Sequence, residues 1–118
     1  MTLHDLFNEK PTKLWRERMI EDEDEDDFYT KESLLSCDKV LDDYLNQLVS
    51  LQENRNPEKI MKAVEETILA LNDVNDEHDY FIETSEREEL AEFIDKAARL
   101  AGLEIEEGHD ITLEWREW

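Results

Sequence analysis

Between Leu34 and Leu103 the apolar residues recur at helical spacing, and this pattern defines most of the chain. Leu34, Cys37, Leu41, Tyr44, Leu48 and Leu51 succeed one another at intervals of three and four residues, with Leu35, Leu45 and Val49 widening the stripe. Such a stripe is the core-facing side of an amphipathic helix and predicts a first helix from about Thr30 to Leu51. Gln52 to Arg55 reads as a short loop. Asn56 then offers an acceptor to the unpaired amides of a second helix, and Pro57 suits its first position. Ile60 or Met61, with Val64, Ile68, Leu71 and Val74, forms the apolar face of that helix, and the polar stretch Asn72 to Asp79 ends or frays it. Tyr80, Phe81 and Ile82 make an apolar connection. Thr84 or Ser85, the latter with Glu88 at capping-box spacing, opens a third helix. Its buried face is Leu90, Phe93, Ile94, Ala97, Leu100 and Ala101, and Gly102 stands where a terminating glycine belongs.

The two ends obey different rules. After Leu3, Leu6 and Phe7, Pro11 separates off a second apolar set, Leu14, Trp15, Met19 and Ile20, which fits a short accessory helix. In the tail, Leu103 and Ile105 alternate with Glu104 and Glu106, and Ile111, Leu113 and Trp115 alternate with Thr112 and Glu114. Period-two alternation predicts a hairpin or extended chain laid across the helices, and a lone hairpin is too marginal to stand undocked. The expectation is a single, mostly α domain. A three-helix core bundle spans residues 30–102, preceded by a polar N-terminal extension over 1–29 and succeeded by a docked extended C-terminal tail over 103–118.

Charge changes this picture. The chain has 34 Asp and Glu against 13 Lys and Arg in 118 residues, a formal net charge of −21. That exceeds what solubility needs, and like charge opposes compaction unless a partner or a dispersed arrangement relieves it. The acid is densest at Glu21, Asp22, Glu23, Asp24, Glu25, Asp26 and Asp27, which read as an exposed linker because burying unpaired carboxylates is costly. A cationic partner is expected there. Direct binding of nucleic acid or of an anionic membrane surface is not. Lys10, Lys13, Arg16 and Arg18 form a basic segment just upstream, read as a solvated stretch with local charge compensation. No run approaches the ~18 apolar residues of a membrane span, and the N-terminus lacks the features of a secretory signal, so a cytoplasmic location is expected.

Candidate chemistry is sparse. His78 lies among Asp76, Glu77 and Asp79, and His109 among Glu106, Glu107 and Asp110, so either could contribute to a divalent metal site. In so acidic a chain nearly every histidine has such neighbours. There is no His-Glu-x-x-His pattern, and the acidic run lacks the spaced ligands and glycine of an EF-hand loop. Cys37 is the single cysteine and falls inside the apolar stripe, as a core thiol does. No phosphate loop or nucleophile elbow occurs. The expectation is a non-enzymatic protein without a cofactor. Trp115 continues the alternation of Ile111 and Leu113 and is assigned to the core. Trp118 falls on the opposite phase and is assigned to an interface, with Tyr80 and Phe81 as further anchors.

The segment from Ile82 to Ile94 and the closing stretch from Asp110 to Trp118 resemble a family of small acidic bacterial proteins of unknown function. In size, helical content and acidity the chain is also similar to bacterial immunity proteins, which neutralise cationic nuclease toxins. That likeness implies an inhibitor of a basic protein. Alternatives are a DNA mimic, a small metal-dependent enzyme using His78 or His109, and a structural subunit of an assembly.

Overall fold

A computed structural model describes residues 2–21, 30–53, 56–78, 80–106 and 108–118, with the side chains of 19–21 outside the description. It contains helices α1 (Leu3–Leu6), α2 (Pro11–Glu21), α3 (Lys31–Leu51), α4 (Pro57–Glu77) and α5 (Thr84–Ala101). There is no strand among the described residues. None of these helices is long and apolar enough to cross a membrane.

Each long helix forms where apolar spacing and a cap coincide. Thr30 accepts from the Ser33 amide at 3.0 Å while Ser33 Oγ accepts from the Thr30 amide at 2.9 Å, so two orphan donors of α3 are satisfied reciprocally. Asn56 Oδ1 accepts from the amides of Glu58 and Lys59, with Pro57 in the first turn of α4. α5 starts slightly earlier than expected. Its cap is Glu83, not Thr84 or Ser85, and the Glu83 amide donates to Glu86 Oε1 at 3.2 Å. Gly102 ends α5 at φ 112°, a left-handed conformation that a side chain would strain.

α3 packs along α4, and α5 lies against both. Leu41, Leu45 and Leu48 meet Ile60, Val64, Ile68 and Leu71 and the α5 residues Leu90 and Ile94, all fully buried. Ala97, Ala98 and Ala101 keep the buried face of α5 thin. Tyr44 brings a hydroxyl into this core and donates it to the Ile94 carbonyl at 2.8 Å. Burial, with the Asp95 charge second, raises the Tyr44 phenol well above its ordinary pKa. Leu35, expected to widen the α3 stripe, is instead exposed.

The tail docks, but not as a hairpin. Asp110 Oδ1 accepts from the Thr112 amide at 2.9 Å, and the amides of Leu113 and Arg116 reach back to Asp110 and Thr112. This winds the chain into turns and destroys the period-two phase, so Thr112 is buried and Leu113 is exposed. Asn72 then holds the last residues of the chain. Its Nδ2 donates to the Trp115 carbonyl at 2.9 Å, and its Oδ1 accepts from the Glu117 amide at 3.0 Å. The polar end of α4, expected to fray, runs as regular helix to Glu77 because its asparagines are buried connectors.

This packing sets two stability effects. Leu41→Ala is expected to destabilise the fold by about 2–5 kcal/mol, as large-to-small core changes do, and chemical denaturation measures it. Asn72→Ala leaves a carbonyl and an amide without partners and should cost about 1–3 kcal/mol. Limited proteolysis should then cut the tail first. An unchanged midpoint with an equally resistant tail would show that Asn72 does not hold it.

Candidate functional site

The basic segment near the N-terminus is docked on the bundle. α1 and α2 form an arm against α3 and α5. Trp15 is fully buried at its centre, edge-on to Phe81 at 6.1 Å, and its Nε1 donates to Glu89 Oε1 at 3.4 Å. Leu3, Leu6, Pro11 and Thr12 are buried with it. Around this apolar centre three of the arm's four cations, Lys10, Arg16 and Arg18, are paired. Lys10 Nζ lies 2.7 Å from Asp42 and 3.7 Å from Asp38. Arg16 Nη2 donates to Asp38, as does the Thr12 hydroxyl. Arg18 grips Glu89 with both guanidinium nitrogens, at 2.8 and 2.9 Å, and stands 3.7 Å from Glu86. The expectation of a solvated stretch is therefore corrected: its compensation is tertiary. Leu14, expected to face inwards, is exposed.

Asp38 is the electrostatic centre of the arm contact. Burial raises its pKa, but the bonds from Arg16 and Thr12 and the charge of Lys10 outweigh burial and hold the carboxyl below its ordinary value.

A second acidic surface lies where α4 meets the tail. Leu69, Asp73 and Asp76 share one face of α4 at spacings of four and three residues, all exposed. Tyr80 stands at its end, 66% exposed, on a backbone with φ 56°. The buried Asn75 fixes this conformation from both sides. Its carbonyl accepts from the Tyr80 amide at 2.8 Å, and its Oδ1 accepts from the Ile82 amide at 2.9 Å. The Tyr80 hydroxyl donates to Asp76 Oδ1 at 2.5 Å, and this bond, with the charges of Asp76 and Glu117, raises the phenol pKa. Glu117 is placed here by Asn72, and Leu113, further back along the tail, is 64% exposed. Among the described residues no ion pair engages Asp73, Asp76, Glu77 or Glu117.

Most of the residues expected to form a site lie outside the described residues. Glu21 is the last residue of α2, and Asp22, Glu23, Asp24, Glu25, Asp26 and Asp27 lie outside the described residues. Trp115, assigned to the core, is half-buried and packs against it, and Trp118, assigned to an interface, is buried as well. Arg116 covers the Trp118 ring at 5.6 Å while pairing with Asp110 at 2.9 Å, so the end of the chain folds under its own arginine. Of the three expected aromatic anchors, Trp118 and Phe81 are buried and Tyr80 is exposed. His78 caps the end of α4, edge-on to Phe81, with Nε2 3.5 Å from Ser36 Oγ. His109 is exposed and lines a shallow cleft with Met61 and Ile105. No group of three or more His, Cys, Asp or Glu among the described residues is arranged to hold a metal ion. Cys37 is fully buried, and burial, with the Asp38 charge second, pushes its thiol far above the ordinary range.

Comparison with protein-family models, curated proteins and solved structures finds no match to this chain.

The Asp38 clamp has a definite pH signature. Its folded-state pKa is depressed from 3.8, so its contribution is complete well above that value and disappears as pH falls through the lower folded value. The stability gap between wild type and Asp38→Asn should stay constant near neutrality and narrow below about pH 4. Thermal unfolding of both proteins across that range measures it, and a gap independent of pH would remove Asp38 from the clamp.

Proposed function

We propose that this protein is a non-enzymatic binder of a basic protein, holding it on the α4–tail surface around Tyr80, with an immunity or inhibitor protein as the sharpest form of that role. The observation that carries the reading is the contrast between the two acidic surfaces. Lys10, Arg16 and Arg18 are turned inward onto Asp38, Asp42 and Glu89, whereas Asp73, Asp76, Glu77 and Glu117 have no cation paired with them among the described residues. Amid them an aromatic side chain is held in solvent on a left-handed backbone that a glycine would adopt with less strain. An exposed tyrosine inside a carboxylate rim suits a cationic partner: the charges steer encounter and reject acidic competitors, and the ring supplies the anchor. Trp118, expected from its phase to be an anchor, is buried beneath Arg116 and is not part of this reading.

The reading separates two rate constants. Association with the basic partner should slow steeply as salt rises past ordinary ionic strength, where the screening length is ~8 Å. Asp73→Asn with Glu77→Gln should slow it further. Tyr80→Ala should leave association nearly unchanged and speed dissociation by roughly thirtyfold, the effect of losing a hot spot of about 2 kcal/mol. Stopped-flow or surface-binding kinetics against a basic protein captured from the native host measures both. An association rate indifferent to salt would sink the proposal.

A further inference from the structure

We propose that the cleft between the start of α4 and residues 103–106 is a docking site for an extended segment of a basic protein, one in which an aliphatic residue is flanked by lysine or arginine. The proposal rests on the reading of the partner as a basic protein and gives that partner a contact away from Tyr80.

The cleft follows from how α5 ends. Gly102 turns the chain in a left-handed conformation, and the Leu103 amide reaches back to the Ala98 carbonyl at 3.0 Å. Residues 103–106 form neither helix nor strand, and here the alternation read from the sequence persists. Leu103 and Ile105 are half-buried, and Glu104 and Glu106 are exposed. The His109 amide then donates to the Glu106 carbonyl at 3.1 Å, which turns the chain back. The result is an open cleft of about 340 Å³. Leu103, Ile105 and Ile111, with Met61 of α4, give it an apolar floor, and Glu104, Glu106 and His109 form its rim.

The lining identifies the occupant. Met61, Leu103 and Ile105 pack against the core on one side and are only partly covered on the other, so the floor favours an aliphatic side chain. Glu104 and Glu106 have no cation paired with them among the described residues. An incoming segment is therefore favoured when cations flank its apolar residue and refused when carboxylates do. The amides of Glu104, Ile105 and Glu106 donate to no protein group among the described residues. Such a row of free donors pairs with the carbonyls of an extended chain, whereas a helix has spent its carbonyls internally. Met61 lies near the start of α4 and Tyr80 beyond its end, with about 24 Å of helix between Met61 and Glu77, so the two contacts are separate.

An end-capped peptide, Lys-Arg-Leu-Arg-Lys, tests this by nuclear magnetic resonance titration into the isotope-labelled full-length protein. The amide signals of Glu104, Ile105 and Glu106 should shift saturably, their protons moving downfield as they acquire acceptors. Exchanging the peptide's leucine for serine should weaken binding by about tenfold. Exchanging its cations for glutamine should weaken it at least as much. On the protein side, Glu104→Gln with Glu106→Gln changes only exposed side chains and should weaken binding by about fivefold. Shifts confined to other surfaces, or an equal response to the leucine and serine peptides, overturn the proposal. Tyr80→Ala should leave the response at residues 104–106 unchanged, and its loss in that variant would place the peptide on the Tyr80 surface and overturn the proposal equally. A peptide that leaves residues 104–106 unshifted sinks this proposal alone, whereas failure of the Tyr80 reading shows in the salt dependence of association with the basic protein itself.

Discussion

Thirteen cations facing thirty-four carboxylates make the placement of each positive charge a structural decision. Dispersed over the surface, the cations would soften the field everywhere and hold nothing in particular. Here Lys10, Arg16 and Arg18 gather in one arm and meet carboxylates of α3 and α5 around a buried tryptophan. Exposed ion pairs contribute little individually. These surround apolar burial, and Glu86 and Asp38 sit deep enough for pairing to matter. These three of the thirteen cations are committed to the arm, and among the described residues no cation is paired with Asp73, Asp76, Glu77 or Glu117.

The bundle itself does not rely on charge. Apolar side chains close it, and three buried polar groups, Tyr44, Asn72 and Asn75, fix how its parts meet. Each is hydrogen-bonded to backbone, which is what makes a polar group tolerable in a core. They also give the fold uniqueness. Leucine at position 72 would bury more apolar surface, yet it would leave the tail without a register.

The three long helices are legible in the sequence because their apolar residues keep strict periodicity and because Thr30, Asn56 and Gly102 mark ends by local chemistry. The features that are not legible depend on distant partners. The cations of the arm read as locally compensated because the acidic run comes directly after them in sequence. Their actual partners are far along the chain, Asp38 being 22 residues from Arg16 and Glu89 being 71 from Arg18. Asn72 and Asn75 read as helix-ending polar residues. Their signal is position, since they continue the stripe of Ile68 and Leu71. Trp118 is buried against the expectation from its phase because alternation does not persist through residues 111–115, where the Asp110 turn resets the phase. Tyr80 is visible as an aromatic but not as an exposed one, because its direction is set by a backbone conformation that no periodicity encodes.

That backbone conformation also has a meaning on an evolutionary timescale. A left-handed tyrosine costs on the order of 1–2 kcal/mol relative to a relaxed geometry, and glycine would remove most of that burden. At position 80 selection for thermal robustness and selection for an aromatic ring therefore pull in opposite directions. A lineage relieved of its partner should drift to glycine or asparagine there while Asn75, whose bonds to the Tyr80 and Ile82 amides hold the connection whatever residue stands at 80, stays fixed. Comparing these two neighbouring positions across descendants of this chain would separate those still under selection to bind from those under selection only to fold.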